Sequence, residues 1–318
     1  MPVYKIHHVT RYEYDVPVRE SVNEIKLFPY NCHEQETLKH EIIITGSPAI
    51  ELYEDYWKNK TGTFNVINPH QLLTIESKLL IRTLNASRIN TGIQEGFDAL
   101  QKDVTASLQL LELSLPEIIT SNEAIGAILQ TIPPGKNVAE NVEYFSAYIF
   151  KHFRYVKDVT SITTTVDDIL NHKAGVCQDF AHVLLQLLRT LHIPSRYVSG
   201  YICPNKNGMR GEGATHAWVE AWLPGYGWAG IDPTNNTWVN DTHVKLAVGR
   251  HFNDCTPVKG TFKGSARQTL SIYVSVGYED GHIFDELNNV NMEIQARSKD
   301  DDDRVTTLDF SAQEQQQQ

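Results

Sequence analysis

The feature that most restricts this chain is a helix-length segment, Gln178 to Leu191, whose apolar residues point almost all the way round. Phe180, Ala181, Val183, Leu184, Leu185, Leu187, Leu188 and Leu191 cover most of its circumference. A helix of this kind is stable only when other elements enclose it, so the segment is expected at the centre of a domain. At 1.5 Å per residue it is about 21 Å long, and Pro194 stops it. It begins directly after Gly175-Val176-Cys177, which places a cysteine at the junction of a glycine loop and a buried helix.

Patterns of both kinds surround this helix. Met1 to about Arg82 alternates with a period of two, through Tyr4, Ile6, His8, Thr10, Tyr12 and Tyr14 and again in Glu41–Thr45 and Leu72–Ile81, with turn residues between the runs. The expectation is an antiparallel, sandwich-like domain over residues 1–86. Residues 87–116 are polar and weakly periodic and read as a linker. Helical signals follow: Ser121 with Ile125 and Ile128, Asn137 as a cap before Val142, Phe145 and Ile149, and the capping-box form Thr165-Val166-Asp167-Asp168. Strands are expected at Arg196–Ile202, Thr215–Trp222 and Trp228–Asp232, then near Val244–Val248 and Leu270–Val276. Leu223 to Gly227 forms a five-residue hairpin loop within this series. The core is therefore bounded at 117–280. The acidic, Gln-rich remainder, 281–318, has the composition of a disordered tail.

With 318 residues the chain has room for one large or two ordinary domains, and its net charge of −11 carries no electrostatic footprint for nucleic acid. It contains no run of about 18 apolar residues, so no membrane partner is expected. The first residues alternate like a strand and lack the apolar stretch of a signal peptide, so the expected location is cytoplasmic. Cys32, Cys177, Cys203 and Cys255 are far apart with no C-x-x-C pair, which argues against a disulfide framework. Thirteen histidines occur without H-E-x-x-H or paired-cysteine spacing, so neither a metal nor another cofactor is expected.

Each cysteine is then weighed alone. The N-terminus of a helix offers free N–H groups and a positive dipole end, which stabilise a thiolate and can receive an oxyanion. An isolated cysteine at such a place is more often a small core residue; a partner changes the balance. His216 lies in the alternating run Thr215 to Trp222. If Trp222 pairs with Trp228 across the hairpin, Trp218 falls opposite Asp232 and His216 sits diagonally from Asp232 on the same face. That is within reach of an imidazole–carboxylate bond, which fixes the tautomer and supports the imidazolium. A slip of one residue in register would destroy the arrangement.

Four motifs in this order resemble the bacterial transglutaminase-like family: Gly175-Val176-Cys177-Gln178-Asp179-Phe180-Ala181-His182, Tyr197 to Tyr201, His216 to Gly225, and Asp232-Pro233-Thr234-Asn235. The resemblance extends to Phe153-Arg154-Tyr155, to Ala247–Phe252 and to the β-rich N-terminus. It implies an α+β, papain-like core in which the cysteine heads a central helix packed on an antiparallel sheet carrying the histidine and aspartate. By matched position, Cys177, His216 and Asp232 inherit the roles of nucleophile, base and orienting acid.

What these residues support is thiol acyl transfer on a peptide or protein substrate. Hydrolysis of a peptide or isopeptide amide is the favoured outcome, because water needs no second binding site. Transamidation by a lysine amine and a non-catalytic peptide-binding module are the competing readings. A thioester-dependent acyltransferase would need a cofactor site that the sequence does not reveal. His182, on another face of the helix from Cys177, reads as a packing residue. Gln178 and Asp179 read as helix-start caps, Trp218, Trp222 and Trp228 as core and hairpin packing, and Cys203 and Cys255 as inert. The backbone N–H of Cys177 is the expected oxyanion donor. Oligomeric state and physiological substrate have no signature in the sequence.

Overall fold

The computed structural model describes residues 1–84, 95–157, 164–203, 209–210 and 215–279, and adds two short strands at 290–294 and 305–306. In chain order, five strands come first: β1 (Val3–Ile25), β2 (Gln35–Ile44), β3 (Glu51–Glu54), β4 (Lys60–Val66) and β5 (His70–Thr83). Helices α1 (Phe97–Ala106), α2 (Leu108–Leu113), α3 (Asn122–Leu129) and α4 (Val138–His152) follow. Then come β6 (Arg154–Tyr155), α5 (Val166–His172), β7 (Ala174–Gly175) and α6 (Cys177–Thr190). The remainder is β8 (Ser195–Ile202), β9 (Thr215–Leu223), β10 (Gly227–Asp232), β11 (Thr237–Trp238), β12 (His243–Gly249), α7 (Phe252–Cys255), β13 (Val258–Lys263), β14 (Gln268–Tyr278), β15 (Val290–Ile294) and β16 (Val305–Thr306).

β1 runs for 23 residues and organises the N-terminal unit. Its first part pairs with β5 on one side and β14 on the other; its second part pairs with β4 and β13. The register breaks between Glu13 and Val18, and Glu20 adopts a positive φ of 48°. One strand thus passes through both layers of a curled antiparallel sheet. The alternation in the sequence has its physical cause here: Tyr4, Ile6, Tyr12 and Tyr14 are buried on one side of the pleat.

Two boundaries expected from sequence need correction. The strand expected near Leu270–Val276, within the core of 117–280, is β14; together with β13 it hydrogen-bonds to β1 and completes the N-terminal sheet. The segment read as a linker, 87–116, carries α1 and α2. Leu100 and Val104 are spaced four apart and bury one helical face in the main core cluster, beside Leu110. Of the acidic tail, β15 pairs with β14 and β16 with β13; its other residues, like 85–86 of the expected N-terminal domain and 87–94 of the expected linker, lie outside the described residues.

The core sheet has the antiparallel order β11-β10-β9-β8-β12. Ala217, Val219 and Ala221 of β9 share a cluster with α6 and with Val142, Phe145 and Ile149 of α4. Every residue of α6 from Cys177 to Arg189 is buried. Two of its long polar residues are satisfied by the main chain: the Gln186 amide exchanges hydrogen bonds with Glu117, and Arg189 donates to the carbonyls of Ser195 and Arg250. Asn137 caps α4 as expected, in a capping box with Glu140, and Thr165 closes the expected capping box with Asp168.

β12 is the outer strand of this sheet, and two side-chain amides cover its free edge. Gln35 donates to Lys245 O and accepts from Lys245 N, both at 2.8 Å. Asn59 does the same to Val248, donating to its carbonyl and accepting from its N–H at 2.8 Å each. These amides dock the N-terminal unit on the core and satisfy an edge that would otherwise remain open.

Candidate active site

Cys177 is the first residue of α6 and is fully buried. Val176 has no side-chain acceptor, so the cap is supplied from within the helix: the Asp179 carboxylate accepts the Val176 N–H at 2.8 Å. This requires Gly175, where an added Cβ would stand 2.4 Å from Asp179 Oδ2. As the first helical residue, Cys177 has an N–H without an intrahelical acceptor, in line with the expected oxyanion donor.

The β9–β10 hairpin has the expected register: Trp222 faces Trp228, and the ladder continues through Val219 and Ile231 towards Trp218 and Asp232. His216 Nε2 donates to Asp232 Oδ2 at 2.9 Å, and neither side chain is exposed. Since Nε2 is engaged, Nδ1 is the ring nitrogen left for the thiol, and it has no other partner. Burial by itself would lower the basicity of His216; the charges of Asp232 and Cys177 outweigh it and raise the imidazole to about 10. Asp232 is pushed upwards by burial but held far below the ordinary carboxylate range by His216 and its other donors. The structure therefore brings Cys177, His216 and Asp232 together in one buried group.

The Asp-Pro-Thr-Asn segment folds back on its own carboxylate. Asp232 Oδ1 accepts from Thr234 N at 2.9 Å and Asn235 N at 3.3 Å, while Asn235 Nδ2 donates to Oδ2 at 2.7 Å. Asn235 also brackets the main chain of Arg210, whose guanidinium lies 4.5 Å from the Phe150 ring centre. Tyr155, paired with Gly175 between β6 and β7, has a buried hydroxyl without a hydrogen-bond partner. Burial pushes its acidity down, and Cys177 and Asp232 add to the effect. Gln178 Oε1 is also buried without a hydrogen-bond partner.

One residue of the site escaped sequence reasoning. His243 Nε2 lies 3.5 Å from Asp232 Oδ2, and its Nδ1 is 3.2 Å from Thr242 Oγ1. Burial lowers its basicity despite the nearby charge of Asp232. No motif marks His243; only the pairing of β12 with β8 carries it there. His216, Asp232 and His243 place three ligand-type atoms within 4.8 Å. Both oxygens of Asp232 already accept N–H donors, so this set describes a hydrogen-bonded carboxylate centre.

The remaining expectations can be located. His182 stacks on Tyr197 at 5.2 Å and lies 4.1 Å from the His251 ring, a packing position. Trp222 and Trp228 meet edge to face, and Trp222 Nε1 donates to Asp103 at 2.8 Å. Trp218 is fully buried in a small cluster with Trp57 and Val198. Cys203 and Cys255 are buried thiols with strongly raised pKa values, caused first by burial, and all four cysteines are free. Among the described residues, no helix is long and apolar enough to cross a membrane.

Residues 127–233 match the transglutaminase-like superfamily, and residues 4–82 match the bacterial transglutaminase-like N-terminal region. An uncharacterised protein of Mycobacterium tuberculosis is 30% identical over 293 residues, spanning 86% of this chain and 92% of that protein. One from Mycobacterium leprae is 28% identical over 281 residues, spanning 86% and 97%. A shorter likeness, 39% over 75 residues, links 22% of this chain to 11% of the protein-glutamine gamma-glutamyltransferase of Pseudomonas aeruginosa. In fold, a solved Cytophaga hutchinsonii structure, described as a candidate cysteine protease, superposes with a TM-score of 0.71 at 20% identity and covers 91% of this chain and 96% of its own.

Proposed function

This chain belongs to the transglutaminase-like superfamily, and on that footing we propose that it is a thiol acyl-transfer enzyme hydrolysing peptide or isopeptide amides. The observation that carries the reading is His216, bonded through Nε2 to Asp232 at 2.9 Å with Nδ1 left for Cys177. In the first half-reaction the Cys177 thiol gives its proton to Nδ1 and the thiolate attacks the amide carbonyl. The Cys177 N–H receives the oxyanion. The C–N bond then breaks, His216 returns the proton to the leaving amine, and a thioester remains. Water, deprotonated by His216, attacks the thioester; the C–S bond breaks, and the acid and the thiol are released. Asp232 stays ionised throughout and stabilises the imidazolium.

Transamidation is the second reading, and the stretch similar to a protein-glutamine gamma-glutamyltransferase favours it. A primary amine would then replace water in the second half-reaction. The test is incubation with glutamine-containing and isopeptide-linked peptides, with and without a fluorescent primary amine. Carboxylic product formed without amine, and lost in Cys177→Ala, is expected. Amine incorporation that outpaces hydrolysis would move the assignment to transamidation. If Cys177→Ala keeps all amide cleavage, and Cys177 reacts with iodoacetamide at about pH 6–7 no faster than an ordinary thiol, the thiol-enzyme reading fails.

A further inference from the structure

A half-buried cation is tied to the acid–base pair through a single side chain. The Asn235 amide accepts from Arg210 N at 2.7 Å, donates to Arg210 O at 3.2 Å, and donates to Asp232 Oδ2 at 2.7 Å. The main chain of Arg210 is thereby held beside the carboxylate that orients His216. Its guanidinium lies 4.5 Å from the centre of the Phe150 ring of α4. It also stands within electrostatic reach of Tyr155, which pairs with Gly175 just ahead of Cys177 and feels the thiol as well.

The other described arginines that are not exposed show what such a group ordinarily has. Arg82, Arg189, Arg196 and Arg250 each donate from the guanidinium to a carboxylate or carbonyl oxygen. Arg196 is the nearest parallel. It stacks 4.3 Å over Trp228 and keeps its edge for Glu220, with Nε and Nη2 both 2.7 Å from one carboxylate oxygen. Arg210 has the same kind of aromatic seat, but its guanidinium has no oxygen acceptor among the described residues, and only Nη1 of its nitrogens is enclosed. The remaining edge has the form that takes a carboxylate. Nothing else nearby offers an anion a general attraction: the chain carries a net charge of −11, and Asp179 and Asp232 flank the thiol and its base. A preference for an anionic substrate must therefore come from a local cation. An amide inside a polypeptide has no free carboxylate beside its acyl carbonyl, because the backbone consumes it. A γ-glutamyl amide with its α-carboxyl unlinked keeps one, a few bonds from the carbonyl that a thiol attacks.

We propose that Arg210 is a specificity-determining residue that binds a free carboxylate on the acyl part of the substrate, so that γ-glutamyl-type isopeptides are taken in preference to ordinary peptide amides. This rests on the thiol acyl-transfer reading of Cys177, and binding is measured with the thiol removed so that the two can fail separately. Full-length Cys177→Ala protein is titrated by calorimetry with glutaric acid monoanilide, a γ-glutamyl anilide without its amino group, and with the neutral carboxamide of the same anilide. The carboxylate is expected to bind about tenfold or more tighter, by a margin that shrinks at high salt. Arg210→Ala, or Arg210→Gln where circular dichroism shows the alanine variant misfolded, is expected to bring the two probes within about twofold of each other. Arg210→Lys is expected to keep part of the preference, as a point charge without the fork. With the thiol restored, the same preference is read as the ratio of kcat/KM for the two anilides. Equal binding by the Cys177→Ala protein, failure of the monoanilide to saturate, a preference that survives in a folded Arg210→Ala or Arg210→Gln variant, or equal weakening of both probes overturns the proposal. Anilide cleavage that persists in Cys177→Ala would sink the thiol reading and leave the binding ratio as measured.

Discussion

Replacing Asp232 by asparagine tests the acid–base arrangement with the least change in shape. Oδ1 of Asp232 accepts from Thr234 N and Asn235 N; Oδ2 accepts from His216 Nε2 and Asn235 Nδ2, with His243 Nε2 at 3.5 Å. An amide can put its oxygen on only one of these two sides. If oxygen stays with the backbone N–H groups, the new NH2 meets His216 and Asn235 Nδ2, both donors. His216 then relieves the conflict by accepting at Nε2, which moves its proton to Nδ1 and removes the lone pair that takes the thiol proton. The expected loss in kcat/KM is about 10³–10⁴, or ~4–5.5 kcal/mol of transition-state stabilisation. Stability should also fall by ~3–5 kcal/mol, since buried donors lose their charged acceptor. The pH dependence provides a second readout. His216 is raised from 6.5 to about 10 in the fold, so its contribution is complete below about pH 6.5 and is lost as pH rises through about 10. Asp232 is depressed from 3.8, so its contribution is present above about 3.8 and is lost at lower pH. The parent melting temperature should decline on both flanks, and Asp232→Asn should flatten both declines. Steady-state cleavage assays and calorimetric melts across pH 3–11 are the measurements. A folded Asp232→Asn enzyme within tenfold of the parent rate would refute the tautomer argument.

Glu220 is pushed up by burial, but Arg196 and Lys245 outweigh this and hold it at about 2 against an ordinary 4.5. Its contribution is therefore present above about pH 4.5 and disappears as pH falls towards 2; Glu220→Gln should cost ~3–5 kcal/mol at neutral pH and flatten stability over that acid window, as read by urea unfolding. Asn59→Leu removes both bonds to Val248 and leaves a buried carbonyl and N–H unmet; a loss of ~2–4 kcal/mol is expected by urea unfolding, with the activity of the folded fraction retained. Stability within ~0.5 kcal/mol of the parent would show that the edge of β12 finds other partners.

Much of the candidate site could be read along the chain because its geometry is local. The hairpin loop of Pro224 to Tyr226, closed by the Leu223–Gly227 pair, is short enough to fix which residues of β9 and β10 face each other, and His216 follows Asp232 by that register alone. The cap at Asn137 and the capping box at Thr165 were likewise legible, since each depends on only a few consecutive residues. α1 was not: a helix with two buried residues, Leu100 and Val104, shows little periodicity in a polar segment. His243 was not legible either, because its neighbours in the site come from strands that only the folded sheet sets beside it.

By itself the sequence determined the buried helix, the thiol at its head and the imidazole–carboxylate pair, the last set across one short hairpin by residues 16 apart. Tertiary structure alone decided that β13 and β14 return to flank β1, that Gln35 and Asn59 close the edge of β12, and that a second histidine reaches Asp232. The physical reason is that a strand's alternation specifies which of its faces is buried but carries no record of which distant strand will supply its hydrogen bonds. That choice is made only when the whole apolar surface of the chain is enclosed at once.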